Sequence, residues 1–356
     1  KRGFARKLTP EEIKLWDGPE YYLAMLLVRN PESKSTPIRP VWHASQMFEG
    51  TCLNSAVAKG PDAYTNNLLG LILRWRERKV AIVGDIRKMY NSVGLEELEQ
   101  HCHRFLWRNL DSSREPDVYV MTVVCMGDKP AGAIATEAIY MTADRFGGDD
   151  PEAASLIHNS TYVDDFLDSV DSVEMALDLG KRVEVMLSKG GFKIKCWQFS
   201  GMENSISNLA ESSFDGNELI QESLLKGEGS ITKVLGTVWD TVSDSLKMHV
   251  ALNFSPKRQG IHTGPDLTAA EIPAGIPKKL TKRICLSQVM RIYDTMGILS
   301  PFTLQAKVYL RETWRMKLGW DDSLPPELHR KWVDYFVLMY DMHQLQYDRC
   351  LRPDDA

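Results

Sequence analysis

No two cysteines stand at C-x-x-C spacing. The six in the chain, Cys52, Cys102, Cys125, Cys196, Cys285 and Cys350, are scattered, which argues against both a disulfide framework and a zinc ribbon and leads us to expect reduced thiols. Long apolar runs are also missing: none approaches the roughly 20 residues of a membrane span, so no membrane partner is expected. The N-terminal stretch shows no signal-peptide pattern, and the expectation is a soluble, intracellular protein. Internal repeats and low-complexity tracts are absent as well.

What is present is an ordinary globular composition, 43% hydrophobic over 356 residues, enough for a packed core and two or more subdomains. The net charge of -5 taken alone argues against a nucleic-acid binder, but its distribution does not. Residues 1–110 are net +5, residues 111–250 net -13 and residues 251–356 net +3. An acidic middle between basic ends suits a molecule holding cations at its centre and polyanions at its flanks; chance clustering of solvated charge gives the same profile.

The stretch to about residue 80 is broken by Pro31, Pro37, Pro40 and Pro61 and reads as loop-rich. VAIVGDI (80–86) is a continuous apolar run ending in aspartate, the signature of a buried strand. GLEELEQHCHRFLWRNL (94–110) carries a helical stripe, VYVMTVVCM (118–126) reads as a strand, and AGAIATEAIYMTAD (131–144) as a helix entered by Pro130. TYVDDFLDSV (161–170) reads as two short strands. The helix that follows carries a capping-box pattern, Asp171 with Glu174, and ends at Gly190-Gly191 before the strand FKIKCWQF (192–199). The order strand, helix, strand, helix, hairpin, helix, strand belongs to an α+β fold of the ferredoxin-like kind, with helices on one face. Residues 200–230 are polar and Gly/Ser-rich, a mobile insertion by expectation. ITKVLGTVWD (231–240) returns to strand, and from 281 the pattern is helical. In SPFTLQAKVYLRETWRMKLGW, Ser300 reads as the cap, Pro301 as the first helical residue, and Leu304, Val308 and Trp314 as part of an apolar side.

The doublet Asp164-Asp165 poses the chemical question. The other doublets, Asp149-Asp150, Asp321-Asp322 and Asp354-Asp355, sit among turn formers and read as solvated loops, whereas Asp164-Asp165 is flanked by Tyr162, Val163, Phe166 and Leu167. A flat strand sends adjacent side chains to opposite faces, so both acids serve one site only from a tight hairpin turn. With Asp85 at the end of a neighbouring strand, three carboxylates meet within a few ångströms, held ionised by divalent metal. Oxygen ligands without histidine or thiolate select Mg²⁺ or Mn²⁺, and two such ions about 4 Å apart clamp an in-line phosphoryl transfer. The alternative from spacing alone is a solvated turn beside an unrelated strand-end aspartate.

The box Tyr162-Val163-Asp164-Asp165 resembles the Y-x-D-D of reverse transcriptases, and Asp85 with Tyr90 resembles their first catalytic box. IRPVWHAS (38–45), LNSAVAKGPD (53–62), DIRKMYNSV (85–93), RFLWR (104–108), YVDDFLDS (162–169), KGGFKI (189–194), KVLGTVWD (233–240), IYDTMGILSPF (292–302) and KLGWDD (317–322) together resemble the polyproteins of BEL/Pao-type LTR retrotransposons, in order over nearly the whole chain.

That resemblance implies a right-hand polymerase. Residues 1–80 would be N-terminally truncated fingers; residues 81–240 a ferredoxin-like palm, with part of the fingers at about 94–125; and residues 241–356 a mainly helical thumb and connection. It implies an RNA-directed DNA polymerase that joins dNTPs to a primer 3′-hydroxyl on an RNA or DNA template with two Mg²⁺ or Mn²⁺ ions. The setting would be cytoplasmic virus-like particles, beside protease, RNase H and integrase segments of the same polyprotein. Asp85, Asp164 and Asp165 match the catalytic, metal-binding positions. Tyr90 matches the steric gate against a 2′-hydroxyl, and Arg39 the arginine that pairs with the triphosphate, with Lys34 in the same loop. Gly127 matches a glycine that lets backbone approach the nascent pair. Lys195 stands near the position of a proton donor to pyrophosphate, although strand alternation would put it on the opposite face. Leu235 and Gly236 match the hairpin that grips the primer, and Lys307, Arg311 and Arg315 recur as a helix tracking phosphates requires. The chain departs from the family at His43, where aspartate is more usual; at GDKPAG, in place of Gly-x-x-Ser-Pro; and at Cys196, where lysine often precedes the tryptophan.

Four rival readings stand beside this one. Asp294-Thr295-Met296-Gly297 resembles the aspartic-peptidase Asp-Thr-Gly, but the inserted methionine breaks the turn. A zinc module on His101, Cys102 and His103 fails because consecutive helical residues diverge. An inactive, polymerase-derived binding or scaffold domain is the rival of a different class. An RNA-templated RNA polymerase is a further option, separated by sugar selectivity. The chain also shows no RNase H pattern at its end, and a fragment of a longer polyprotein is expected.

Overall fold

The computed structural model describes residues 3–29, 37–60, 66–202, 206, 209, 231–258 and 261–352. At its centre lies a four-stranded antiparallel sheet in the order Thr161–Tyr162, Asp165–Val170, Val80–Ile86, Ile194–Phe199. Val80–Ile86 is the middle strand, and Ala81 to Gly84 are all buried. Such an unbroken apolar run needs cover on both faces. Ile82, Ile86, Phe166, Trp197 and Phe199 pack against helices Ala131–Phe146, Pro151–Ser160 and Val173–Lys189. Ala81, Val83 and Leu167 face the other way, onto Leu71 and Trp75 of helix Leu68–Trp75 and onto Val234, Trp239 and Leu246 of a second sheet. Helices on one face only is therefore corrected: the sheet is covered on both.

The second sheet runs Ile231–Val234, Thr237–Asp240, Ser245–Lys247, Gln346–Asp348, so the chain's last strand returns to it. Arg349, fully buried, ties that return to the central sheet. Its guanidinium donates to the carbonyls of Trp75 (2.5 Å), Arg78 (2.9 Å) and Lys79 (2.8 Å) and pairs with Asp244 at 2.7 Å. Truncating it would leave several buried carbonyls and an aspartate unsatisfied, at about 3–5 kcal/mol. Helices Lys282–Val289, Ser300–Arg315 and Pro326–Asp341 build their own core around Leu310, Leu328, Trp332 and Phe336. Toward the N-terminus, Leu23, Trp42, Leu53, Phe105, Met121 and Cys125 form another, so residues before 80 and those near 105–125 share one cluster.

Several expectations need correction. The stripe over 94–110 is not one helix: Glu97–His101 is helical, and Arg104–Trp107 is a strand paired with Asp117–Met121. Aromatic Phe105 and Trp107 favour the pleated surface, and tertiary pairing overrides the local periodicity. The helix Pro151–Ser160 is an addition to the expected order, and Asp150 is its N-cap, accepting from Ala153 N at 3.1 Å and pairing with Arg182 at 3.0 Å, rather than a solvated loop acid. Ser172, not Asp171, caps Val173–Lys189 by accepting from Met175 N at 3.3 Å, while Asp171 faces Arg78. Ser300 does not cap its helix; the carboxylate of Asp294 instead takes the amides of Ile298 (3.0 Å) and Leu299 (2.8 Å) just before it. The buried side of that helix is Ala306, Leu310 and Thr313, with Leu304 and Trp314 exposed. Met202, Ile206 and Leu209, at the start of the expected insertion, are buried in the central core, and most of 203–230 lies outside the described residues.

Candidate active site

The site grows from one hairpin. Tyr162 pairs with Asp165, which leaves Val163 and Asp164 as a two-residue turn, and Val163 has φ of 57°. A positive φ at the first central residue is a position that favours glycine; a β-branched residue held there is strained. The turn takes Asp164 out of the strand alternation, as the doublet requires if both acids are to serve one site. Its carbonyl accepts from Ile86 N at 2.7 Å, and Asp165 is the direct cross-strand partner of Asp85. The three aspartates thus meet at one edge of the central sheet, from segments remote in sequence.

Lys195 reaches the same edge. Its Nζ donates to Asp85 Oδ2 at 2.8 Å, with the ammonium about half exposed. Strand alternation alone would aim it away, but the register shifts there: Asp85 pairs with Cys196 and Ile86 with Ile194, leaving Lys195 as the extra residue of a β-bulge. A bulge re-aims one side chain, which corrects the expected face of Lys195.

Electrostatics couples these groups. Burial, then the charges of Asp164 and Asp85, push the Asp165 carboxyl up to about 7 against the pull of Lys195. Asp164 is also raised, first by burial and further by Asp85, with Lys195 and Arg39 opposing. The Tyr90 phenol is raised by burial and by the charge of Asp164, and the Lys195 ammonium by its hydrogen bond to Asp85. Burial lifts the Cys196 thiol. Arg39, on the exposed strand Ile38–Trp42, and Tyr90, in the turn Met89–Ser92, therefore both lie within electrostatic reach of Asp164.

Asp85, Asp164 and Asp165 meet at one sheet end without all three carboxylates lying within 4.8 Å of one another. Among the described residues, the one group of three ligand-bearing side chains within 4.8 Å of one another is His103, Cys125 and Asp128. The physical reason is plain: the acids repel one another, and Asp85 is drawn onto Lys195.

The remaining candidates are spread more widely. Gly127 has φ of 127°, and a Cβ there would stand 2.1 Å from the Trp42 carbonyl oxygen. The backbone it admits is the chain's own. Leu235 and Gly236, both with positive φ, form the turn between Ile231–Val234 and Thr237–Asp240, where a Cβ on Gly236 would meet the Tyr293 ring at 2.2 Å. Leu235 and Tyr162 pack against the same apolar cluster, which links that turn to the aspartate hairpin. Lys307, Arg311 and Arg315 are exposed on helix Ser300–Arg315 and belong to the C-terminal body. Lys34 lies outside the described residues.

Residues 281–356 match the family model described as a Pao retrotransposon-like RNaseH-like domain. No curated protein matches the chain. Among solved structures, the foamy viral protease-reverse transcriptase dRH in complex with double-stranded DNA aligns over 95% of this chain and 45% of that one, at 14% identity and a TM-score of 0.53. The foamy viral protease-reverse transcriptase in complex with an RNA/DNA hybrid aligns over 96% of this chain and 35% of that one, at 14% identity and a TM-score of 0.51. The chain spans less than half the length of either. It is a mixed α/β chain whose fold is similar to that of these viral reverse transcriptase structures.

The 281–356 match covers a region read from sequence as thumb and connection with no RNase H pattern. Three of its carboxylates are engaged locally: Asp294 on the Ile298 and Leu299 amides, Asp321 on Arg283 at 2.8 Å, and Asp322 on Gly319 N at 2.6 Å. No helix among the described residues is long and apolar enough to cross a membrane.

Proposed function

We propose that this chain is the polymerase part of a Pao-type retroelement pol protein, an RNA-directed DNA polymerase whose catalytic centre is Asp85, Asp164 and Asp165. One observation carries the reading: an Asp-Asp doublet on a strained hairpin turn, cross-strand from a third aspartate, at the edge of a sheet buried on both faces. The donor set suits hard cations, since carboxylate oxygens dominate it. Asp85, Asp164 and Asp165 would hold Mg²⁺ or Mn²⁺, which when bound supplies Lewis acidity to the attacking hydroxyl and the leaving oxygen.

The chain's own groups do the rest. Burial and mutual repulsion raise Asp164 and Asp165, so the hairpin is prepared for positive charge. Lys195 neutralises Asp85 and is exposed enough to turn from it toward a triphosphate. Arg39 brings a forked guanidinium to the same side, suited to phosphate oxygens. Half-buried Tyr90 beside Asp164 presents a rigid wall where the sugar would lie, and Tyr90→Ala is expected to admit ribonucleotides; unchanged sugar selectivity would refute that role. Template and primer, RNA or DNA, would run past the 235–236 turn and the helix bearing Lys307, Arg311 and Arg315.

The deciding experiment is primer extension on an RNA template with dNTPs and Mg²⁺, wild type against Asp164→Asn. Loss on the order of 10³-fold or more is expected, and equal incorporation by both would sink the catalytic assignment. A second reading, an inactive binding or scaffold domain, is favoured by the Lys195–Asp85 ion pair and by the separation of the carboxylates. It would appear as template-primer binding with no incorporation by either protein.

A further inference from the structure

His103, set aside as a zinc ligand with its sequence neighbours, belongs to a different cluster. A ring nitrogen of His103, Sγ of Cys125 and a carboxylate oxygen of Asp128 all lie within 4.8 Å of one another. His103 is 8% exposed, Cys125 fully buried, and the Asp128 side chain 8% exposed. They come from the turn just before strand Arg104–Trp107, from the segment after strand Asp117–Met121, and from the turn that contains Gly127.

A histidine-aspartate ion pair does not account for this arrangement. His103 Nδ1 stands 2.7 Å from the Glu99 carbonyl, which fixes the ring and turns Nε2 toward Asp128 Oδ2 at 2.9 Å. Oδ2 also accepts from Cys125 N at 3.3 Å, yet Oδ1, buried, accepts no hydrogen bond at all. The Cys125 thiol donates to the Val123 carbonyl at 3.5 Å, a bond that leaves its sulfur lone pairs free. An anchored imidazole, a buried thiol and a buried carboxylate with an idle oxygen form the donor set of a metal centre.

We propose that His103, Cys125 and Asp128 bind one borderline-soft divalent ion of the zinc class, at a site separate from the sheet-edge aspartates. Imidazole with thiolate selects zinc over Mg²⁺, and three protein ligands leave a fourth position for water or a further donor. Ligand atoms on one tetrahedral ion stand about 3.3–3.8 Å apart, so the His103–Asp128 contact opens by roughly half an ångström as the ion enters. The thiol proton leaves to solvent as the sulfur–metal bond forms. The ion would fasten the turn at 125–128, whose Met126 carbonyl accepts from Trp42 N at 3.3 Å and whose Gly127 carbonyl accepts from Asn54 Nδ2 at 3.0 Å. Trp42 ends the strand that carries Arg39, so the site braces a strand facing the aspartates.

The test is a Co²⁺ titration of the metal-stripped full chain, with Mg²⁺ in excess to occupy hard carboxylate sites. One equivalent should bind, giving the intense visible bands of tetrahedral cobalt with a near-ultraviolet thiolate-to-cobalt band, and equimolar Zn²⁺ should displace it. Cys125→Ser should abolish the thiolate band, Asp128→Asn should weaken binding at least about tenfold, and Asp85→Asn should change neither. A folded wild-type chain without the thiolate band, or a Cys125→Ser chain that keeps it, would overturn the proposal. The wild-type titration stands without any variant, so a variant that fails to fold does not blunt the test.

Discussion

Two Asp-Asp doublets of the same chain meet opposite fates. Asp150 caps a helix and faces Arg182, which also reaches Glu152 at 2.6 Å and Asp178 at 2.9 Å, so Asp150, Glu152 and Asp178 each have a cationic or amide partner. Asp164 and Asp165 have instead a partly buried turn, each other and Asp85, with Lys195 and Arg39 only partly offsetting the repulsion. On the proposed function, the difference is what separates a structural acid from a functional one: the fold neutralises the first from within and leaves the second poised for a ligand cation.

Substitutions can break this comparison. The largest effect is expected at Asp85→Asn, with primer-extension activity down on the order of 10³-fold while thermal stability holds; a stability loss matching the activity loss would make Asp85 structural after all. Asp150→Ala should do the reverse, lowering stability by about 1–2 kcal/mol in urea unfolding with activity per folded molecule intact. Asp165→Asn sharpens the contrast through pH. Its carboxyl is raised in the folded chain, so between its ordinary value and about 7 the folded state keeps a proton that the unfolded chain has lost, and stability falls as pH rises through that window. Without divalent cations, the substitution should therefore raise Tm at pH 8 and leave it nearly unchanged at pH 4; a gain equal at both pH values would exclude the charge as its cause. The smallest effect is expected at Lys195→Ala, which removes a half-exposed ion pair worth at most about 1 kcal/mol of stability but should raise KM for dNTPs; an unaltered KM would leave Lys195 with no role beyond holding Asp85.

What the sequence made legible follows from how local each signal is. The run 80–86 reads as a buried strand because a short continuous apolar run rich in β-branched residues allows little else, and the 161–170 hairpin because two acids amid apolar neighbours require a turn. Both signals sit within a few residues. The reversed face of Lys195 was not legible, since a β-bulge is set by the register of the partner strand and leaves no mark in Ile194-Lys195-Cys196 itself. Asp150 as a cap was missed because Gly147-Gly148 masked the helix that follows. Residues 94–110 deceived for the opposite reason: a helical stripe was present, but Phe105 pairs with Tyr119 and the sheet prevails. His103, Cys125 and Asp128 carry no spacing motif at all, and only the packing of strand, loop and turn brings them together.

The most direct measurement is Mn²⁺ binding to the chain with template-primer and a non-hydrolysable dNTP, followed by electron paramagnetic resonance. Two Mn²⁺ ions with mutual spin coupling are expected in the wild type, with the coupling lost in Asp85→Asn and in Asp164→Asn alike. Mn²⁺ binding that neither substitution disturbs would contradict a metal centre shared by those side chains.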